Sequence, residues 1–561
     1  MVKQSQSNIL RVGVLLDTES IPNWSYEMLR RIHGSNYAEI VVLVVNDAPT
    51  TAAPTLWQKV RSKSSRLLYA AHDRAERFFF SVSPDAFSAK HIRQLLPNVP
   101  TIRVQPIQTK FTDSLTNEDI AKIELHDVDV LIRIGFRILR GNILRAARFG
   151  VWSYHHGDNQ MNRGGPAGFW EVMLGWPETG SILQLLTEDL DSGQVLYRSF
   201  SQTDHVSVRR NKNNLYWKSI AFLPRKLEQL HRLGSKQFMA LLESENREPV
   251  FYSNRLFVAP ANLEMAQLLL RHVYRLARKK LWDLFYFNQW FLIYSVSPRV
   301  NVSSSVWRFK EIVPPADRFW ADPFLLHRDG KHYVFIEECF YASKKGHIAY
   351  FILDEKGNQT APKKILERPY HLSYPFLFEY GGETYMIPES AQNRTIELYR
   401  CIEFPERWEL LKVLMKGLYA VDSTLHEAGG LWWLFTNVRE YDGASSLDEL
   451  FLYFSTDPLS DEWTSHPCNP VVSDVKSARP AGRLFEQHGQ LYRPSQDNSR
   501  SYGHGIRINR IEILTTNEYK EVCVTGIEPK WDPKIIGVHT LNFEKNLTLL
   551  DGLKSRRKYP S

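Results

Sequence analysis

The second half of the chain repeats itself, and the repeat is of strand type. Ala321-Asp-Pro-Phe-Leu-Leu runs on to Lys331-His-Tyr-Val-Phe-Ile-Glu-Glu338, and Ser373-Tyr-Pro-Phe-Leu-Phe to Glu383-Thr-Tyr-Met-Ile-Pro-Glu389. Val421-Asp-Ser-Thr-Leu-His runs on to Leu431-Trp-Trp-Leu-Phe-Thr-Asn437, and Ala478-Arg-Pro-Ala-Gly-Arg to Gln490-Leu-Tyr-Arg-Pro494. The residues heading these copies, Asp322, Tyr374, Asp422 and Arg479, recur about every 50 residues, the period of a propeller blade. Each copy reads as an inner strand, a turn and a second strand. One such sheet cannot bury both of its faces, whereas a closed ring of them can. A weaker copy over 531–543, closing with a strand at Trp290, brings the expectation to an all-β, five-bladed propeller over 290–550.

The first half follows a different pattern. Arg11-Val-Gly-Val-Leu-Leu-Asp17 and Glu39-Ile-Val-Val-Leu-Val-Val-Asn46 are nearly continuous apolar runs, suited to strands buried on both faces of a parallel sheet. Trp24 to His33 lies between them with helical spacing, which makes a strand–helix–strand unit. Further strands are expected from Asp129 to Gly135 and from Gly150 to His155. A chain of 561 residues is too long for a single core. The expected architecture is multidomain: a Rossmann-like α/β domain over 9–205, a helical connector over 206–289, and the propeller.

Charge and cysteine usage narrow the partners. The 70 Lys+Arg against 62 Asp+Glu leave +8, a thin surplus that predicts no nucleic-acid partner. Cys339, Cys401, Cys468 and Cys523 form no C-x-x-C pair, so neither a zinc site nor a disulfide framework is expected, and no metal. The polar stretch Met1 to Asn8 and the lack of any run of about 18 apolar residues predict a cytoplasmic chain with no transmembrane segment. A helix over Asn262 to Leu284 carries Arg271, Arg275, Arg278, Lys279 and Lys280 on a basic side. Two readings stand for it: a solvated face packed between domains, or a weak peripheral contact with anionic lipid or an acidic partner.

The most unusual loop is Gly150-Val-Trp-Ser-Tyr-His-His-Gly-Asp-Asn-Gln-Met-Asn-Arg-Gly-Gly-Pro166, followed by Glu178-Thr-Gly-Ser-Ile-Leu-Gln184 and Asp189-Leu-Asp-Ser-Gly-Gln-Val195. A parallel sheet gathers its ligands at the carboxyl ends of its strands. His155 ends a buried strand and Asp191 sits in a tight Asp-Ser-Gly turn, so the two are candidates to meet there. His155 and His156 are adjacent and would point to opposite faces of a strand, which speaks against a shared metal and for a packing role for His156.

These residues resemble the folate-dependent formyltransferases, the group that includes methionyl-tRNA, glycinamide ribonucleotide and amino-sugar formyltransferases. That family's strand ends in Asn-x-His and is followed by Arg-Gly, a Thr-Gly strand and an Asp-x-Gly turn. Over about 125–200 this chain places His155 at the catalytic histidine, Arg163-Gly164 at Arg-Gly, Thr179-Gly180 at Thr-Gly and Asp191 at the catalytic aspartate. The resemblance implies 10-formyltetrahydrofolate as cofactor, with Gly135, Phe136, Arg137, Ile138 and Leu139 lining its pocket and Asp189 beside them. It implies that protonated His155 donates to the tetrahedral oxyanion, while Asp191 orients the imidazole and receives the amine proton. Ser153 replaces the family's asparagine, a hydroxyl on a shorter arm in a catalytic position, and His156-Gly157-Asp158 replaces Pro-Ser. Asp158, Arg163 and Glu171 are expected to bind the acceptor.

The blade heads resemble the five-bladed propellers of the arabinanase and fructosidase superfamily. More closely, they are similar to the N-terminal domain of plant glucosamine inositolphosphorylceramide transferases. Furanosidases on this fold use a carboxylate pair around the central funnel. Asp322 and Asp422 occupy two such places, the fourth copy offers Ala478-Arg479, and Glu338 and Glu389 at second-strand ends are expected to point differently. A complete hydrolytic pair is therefore not expected. Asp322, Tyr374, Asp422 and Arg479 are expected to hold a glycan, with mutual hydrogen bonding around the axis as the alternative. Together these features predict a 10-formyltetrahydrofolate-dependent N-formyltransferase acting on an amine-bearing sugar or glycoconjugate. The competing reading is a glycan-binding or glycoside-hydrolase-like protein whose first domain is altered or hydrolytic. Oligomeric state and the identity of the acceptor stay open.

Overall fold

The computed structural model describes residues 9–48, 64–188, 193–297, 302–303, 305–354 and 357–558; Asp189 and Asp191 lie outside them. The chain divides into two compact units. The first is Met1–Ser199, Thr203–Tyr274 and Tyr441–Ala444; the second is Phe200–Gln202, Arg275–Glu440 and Ser445–Ser561.

The first unit is built on seven strands: β1 (Leu10–Leu16), β2 (Ala38–Asn46), β3 (Thr101–Val104), β4 (Val130–Arg133), β5 (Val151–His155), β6 (Glu178–Leu185) and β7 (Gln194–Gln202). Their order across the sheet is β7-β6-β5-β4-β1-β2-β3. The run β5-β4-β1-β2-β3 is parallel, and β6 lies antiparallel to β5. The apolar strands are consumed on both faces, because successive side chains point to opposite sides of a sheet. Val12, Val14, Leu43, Val45, Val130, Ile132 and Trp152 enter one core. Leu15, Val42, Val44, Leu131 and Val151 enter the other.

Helices α1 (Asn23–His33), α2 (Asn117–Glu124), α3 (Phe169–Leu174), α4 (Val208–Ser219) and α5 (Phe222–Glu245) pack around the sheet, and Met265 and Leu268 of α6 (Asn262–Phe285) pack on Phe169 and Trp170 of α3. The connector expected over 206–289 is not a separate part. Trp217 of α4 and Phe222, Leu223, Leu227, Leu230, Phe238 and Leu242 of α5 belong to the same core as Val12 and Trp152. Burying each such side chain contributes roughly 1.5–3 kcal/mol, so these helices are a structural layer of the α/β unit. α5 bends at Gly234, whose φ of 73° lies in the left-handed region.

The second unit is a ring of five sheets. Four are consecutive: Arg318–Arg328 to Lys363–Leu366, Ser373–Tyr380 to Arg407–Lys416, Tyr419–Ala428 to Thr464–Ser465, and Phe485–Gln487 to Tyr519–Ile527. The fifth joins the two ends of the segment, since Tyr286–Val296 pairs antiparallel with Leu547–Arg557 over its whole length. Apolar clusters fill the seams between neighbouring sheets. The closing sheet meets the first through Leu292, Leu547, Leu325 and Phe351, and the first meets the second and third through Phe324, Phe376 and Leu434. Phe435 and Ile511 join the third to the fourth, and Ile508 and Leu541 join the fourth to the closing sheet. Joining the first strand to the last closes the ring, so that no sheet is left with an uncovered apolar face.

The repeat heads have a shared backbone cause. Asp322, Tyr374 and Asp422 have φ of 49°, 44° and 52°, and in each inner strand the pairing register shifts at that point. These three copies therefore encode a bulge that turns the head toward the axis. The left-handed conformation costs about 1–2 kcal/mol per residue, with aspartate the better tolerated of the two residue types. Arg479 differs: it lies ahead of its sheet's first strand, Phe485–Gln487, and is not a left-handed residue.

Candidate functional site

A cavity of about 580 Å³ opens beside the carboxyl ends of β4 and β5 in the α/β unit. The turn after β4 shapes it. Gly135 carries no side chain because a Cβ there would lie 2.2 Å from the backbone nitrogen of Asp17. Phe136 follows at φ 65°, and its N–H donates to Asp17 Oδ1 at 2.7 Å. Arg133, at the end of β4, ties the turn to the next strand. Its Nε donates to the Arg137 carbonyl (3.1 Å), one terminal nitrogen to the Phe136 carbonyl (3.0 Å) and the other to Ser153 Oγ (3.0 Å). Of the five residues expected to line a folate pocket, Ile138 and Leu139 face the cavity. Gly135 packs on the Asp17 backbone, and Phe136 is buried in the core. Arg137 is held by the buried Asp113 carboxylate at 2.6 Å and by the Thr109 carbonyl. The reason is mechanical: a strained turn needs clamps, and these residues are the clamps.

His155 lines the cavity, and its Nε2 lies 2.8 Å from the carbonyl of Asn162. A carbonyl only accepts, so the imidazole carries its proton on Nε2, and Nδ1 is the basic nitrogen. Asn162 is itself buried, and its amide donates to Glu171 Oε1 at 2.9 Å. Burial raises the pKa of Glu171, while the bond from Asn162 lowers it. Glu171 is 2% exposed, so it positions Asn162 and thereby His155 and does not face an acceptor. Asp158 is likewise committed, to an ion pair with Arg198. Arg163 donates to the Asn159 carbonyl at 2.8 Å and stacks over the Tyr252 ring at 4.5 Å. None of these three lines the cavity. Ser153 is 1% exposed and occupied by Arg133, so the short hydroxyl is answered by a long cation. His156 faces away: it stacks on Tyr216 at 3.6 Å and sits 3.0 Å from Ser219 Oγ. Burial, aided by His155 and Lys212, drives its pKa well down, so it is a neutral packing residue.

Two cavity residues escaped the sequence reading although both leave a mark in it. Arg133 ends the apolar strand β4 and Gln184 follows Ile182 and Leu183 in β6, and a buried polar residue in such a place needs a partner. Gln184 lines the cavity, is 4% exposed, and its Oε1 has no hydrogen-bond partner among the described residues.

In the β unit the blade heads converge but are consumed by one another. The Tyr374 backbone N–H donates to Asp322 Oδ2 (3.3 Å); its hydroxyl lies 2.8 Å from Thr424 Oγ1 and accepts from the Gly482 N–H at 2.8 Å. Asp422 accepts from Arg479 Nε (2.5 Å) and from Gln496 (2.8 Å). Thr540 donates to Asp322 Oδ1 at 2.8 Å. Tyr374 is fully buried and Asp422 1% exposed, so the four heads are a self-satisfied ring and not an open glycan surface. A buried polar ring must be hydrogen-bonded throughout or it is costly.

His539 and Asp551 carry no signal legible in the sequence. His539 Nδ1 lies 2.7 Å from Asp551, and its Nε2 lies 3.4 Å from Asp322. Burial opposes protonation of His539, but Asp551 and Asp322 carry it up to about 9. Burial pushes Asp322 up to about 7, against the pull of His539. Among the described residues these three could hold a metal, but the imidazole already uses one nitrogen toward each carboxylate, an ion-pair arrangement.

Glu389 corrects an expectation. It points inward, with Arg479 at 3.5 Å, and burial and then Asp422 raise its pKa well above the usual carboxylate range. Glu338 does turn elsewhere, accepting from Trp320 Nε1 at 3.0 Å. Tyr502, 40% exposed, lies under the Arg479 guanidinium at 5.1 Å and is the open aromatic face beside the ring.

Residues 303–532 match the family described as glucosamine inositolphosphorylceramide transferase 1, N-terminal. The rice protein of that name (Oryza sativa subsp. japonica) is 41% identical over 244 residues, 41% of this chain and 32% of the rice protein. Methionyl-tRNA formyltransferase of Prochlorococcus marinus is 30% identical over 92 residues, 16% of this chain and 27% of that protein. Among solved structures, a family 117 glycoside hydrolase of Zobellia galactanivorans is 11% identical, covers 48% of this chain and 90% of its own, and superposes with a TM-score of 0.32. The chain spans about a third or less of the length of these curated relatives. Part of the first half thus resembles a formyltransferase, and part of the second half the N-terminal part of glucosamine inositolphosphorylceramide transferase 1.

Proposed function

We propose that the α/β unit transfers a formyl group from 10-formyltetrahydrofolate to the amine of an amino sugar or glycoconjugate. The observation that carries this reading is the cavity at the strand ends, which joins His155, Arg133 and Gln184 in one apolar-walled space. The cavity fits a folate. Phe111, Ile138, Leu139, Leu186 and Phe257 offer apolar walls for a flat ring, and the orphaned Gln184 Oε1 asks for an N–H donor such as a pterin carries. When bound, the reduced folate supplies the activated formyl group.

This chain's own groups do the rest. His155 is held by Asn162 with its basic Nδ1 left to take or return a proton. Arg133 brings a fixed positive charge to the cavity beside Ser153, where negative charge developing on oxygen would be stabilised. Asp191, outside the described residues, is proposed as the proton acceptor on the strength of its motif. The amine class of the acceptor is supported by the names of the relatives of the β unit, since glucosamine is an amino sugar.

A second element concerns the β unit. Tyr502, Arg479 and Glu389 form an aromatic, a cation and a raised-pKa carboxyl at the mouth of the ring, chemistry suited to a sugar ring. We assign glycan recognition to Tyr502 and Glu389, with Arg479 of the buried ring supporting the Tyr502 face and the other three heads taking no part.

The test is an assay of the full chain with 10-formyltetrahydrofolate and a panel of amine-bearing sugars, following folate release and the formylated product by mass spectrometry. His155→Ala is expected to lower turnover about a hundredfold. Gln184→Leu is expected to raise the KM for the folate about tenfold, with kcat nearly unchanged. Folate binding without any formylated sugar, or formate release in place of transfer, overturns the reading.

A further inference from the structure

The end of α6 and the closing sheet of the β unit carry a surface that neither reading of the active site uses. Leu281, Leu284 and Phe285 stand at i, i+3 and i+4 on one helical face and are 58%, 62% and 56% exposed; Trp282, at 51%, stacks on Tyr286 at 4.0 Å. Large apolar side chains grouped in this way mark an interaction site. Arg275, Arg278, Lys279 and Lys280 precede them on the same stretch of helix, and Asp283 is the only acid between Arg275 and Phe285.

A second observation is independent of the helix. A cleft of about 690 Å³ in the closing sheet is lined by Phe287, Ala316, Tyr341, Arg556, Arg557 and Lys558: three cations and no carboxylate. It adjoins the helix end directly, because the Lys558 N–H donates to the Phe285 carbonyl at 2.9 Å and the Lys558 ammonium donates to the Asp283 carbonyl. Arg556 is committed to Gln289 at 2.5 Å, while Arg557 and Lys558 are exposed.

From these two features we infer that this face docks on the surface of an anionic phospholipid bilayer, with Leu281, Trp282, Leu284 and Phe285 entering the headgroup boundary and a lipid phosphate seated in the Arg556–Arg557–Lys558 cleft. Charge complementarity selects the occupant. A second copy of the chain would set this cluster of cations against itself, whereas an anionic membrane answers it and accepts the aromatic side chains at its interface. No helix among the described residues is long and apolar enough to cross a membrane, so the contact lies on the bilayer and does not span it. The inference does not depend on formyl transfer.

Flotation of the full chain with vesicles tests it, comparing phosphatidylcholine alone with phosphatidylcholine plus phosphatidylglycerol. Binding is expected to the anionic vesicles only, and to fall steeply with added salt. Reversing Lys279→Glu and Lys280→Glu together removes two cations at about fivefold each, so the partition coefficient should fall at least about twenty-five-fold. Trp282→Ser with Phe285→Ser should weaken binding at every salt concentration, and Arg557→Gln should weaken it less. All these positions are exposed, and an unchanged thermal midpoint confirms that the variants fold. Equal binding to neutral vesicles, no binding to either kind, or variants that bind like the parent overturn the inference. So does inorganic phosphate displacing the protein at constant ionic strength while Trp282→Ser with Phe285→Ser has no effect.

Discussion

If the blade heads satisfy one another, removing the charge of Asp422 should loosen the ring itself. Asp422 accepts two bonds from Arg479 (2.5 and 3.2 Å) and one from Gln496 (2.8 Å), with 1% of its surface exposed. Asp422→Asn keeps the shape but leaves the Arg479 guanidinium, 9% exposed, with Glu389 at 3.5 Å as its one carboxylate. Breaking a buried pair by removing one partner costs about 3–5 kcal/mol, and the surviving Glu389 contact places this case near 3. At about 1.4 kcal/mol per tenfold, local opening should rise more than a hundredfold. Hydrogen exchange read by mass spectrometry on peptides spanning Tyr419–Arg439 measures this directly, since protected amides exchange through such openings. Peptides from β1 and β2 of the α/β unit serve as the internal control. Replacing both partners, Asp422→Leu with Arg479→Met, should return exchange to within about tenfold of the parent, because a matched apolar pair leaves no orphaned charge. An Asn variant that exchanges within a factor of about five of the parent would refute the ring argument and return Asp422 to the list of ligand contacts.

Two further outcomes follow from the same geometry. The folded-state pKa of His539 is raised above its ordinary 6.5 to about 9, so its contribution to stability is complete below about pH 6.5 and is lost as pH rises through 9. The thermal midpoint of the β unit should decline over that window in the parent and stay flatter in His539→Asn; parallel profiles would sink the assignment. Gly135→Ala drives a Cβ to 2.2 Å from the Asp17 nitrogen, which must move the turn after β4. It should lower stability by about 3 kcal/mol and abolish folate binding by calorimetry, and a variant that binds normally would show that the turn does not shape the cavity.

The candidate site was legible in proportion to how local its signals were. His155 announced itself as the polar end of an apolar strand, and the structure places it at the cavity. For the neighbouring residues, sequence shows only that a polar group is present, not who answers it, and the pocket role of Arg137 is an implication of the family resemblance alone. Asp158 is answered by Arg198, Glu171 by Asn162 and Arg137 by Asp113, partners 40, 9 and 24 positions away. Each pairing engages one atom of a buried group, although Glu171 Oε2 and Asn162 Oδ1 keep no partner among the described residues. Gln184 differs in facing the cavity, a strand residue whose Oε1 has no partner among the described residues.

The class of each half was written in its periodicity. Unbroken apolar runs can be buried only from both sides, which demands a helix-covered parallel sheet. A strand repeat of about 50 residues demands sheets that bury one another. Those statements need no partner, because the hydrophobic effect acts on a pattern whatever its neighbours are. The fate of the polar heads needed the ring to close. Asp322 meets Thr540, 218 positions away, and Asp551 meets the Asp322 backbone across 229, and no local rule links such positions. Hydrogen bonds and ion pairs act over a few ångströms and in one direction. Which polar residue is a clamp and which is open to a ligand was therefore decided only by tertiary structure.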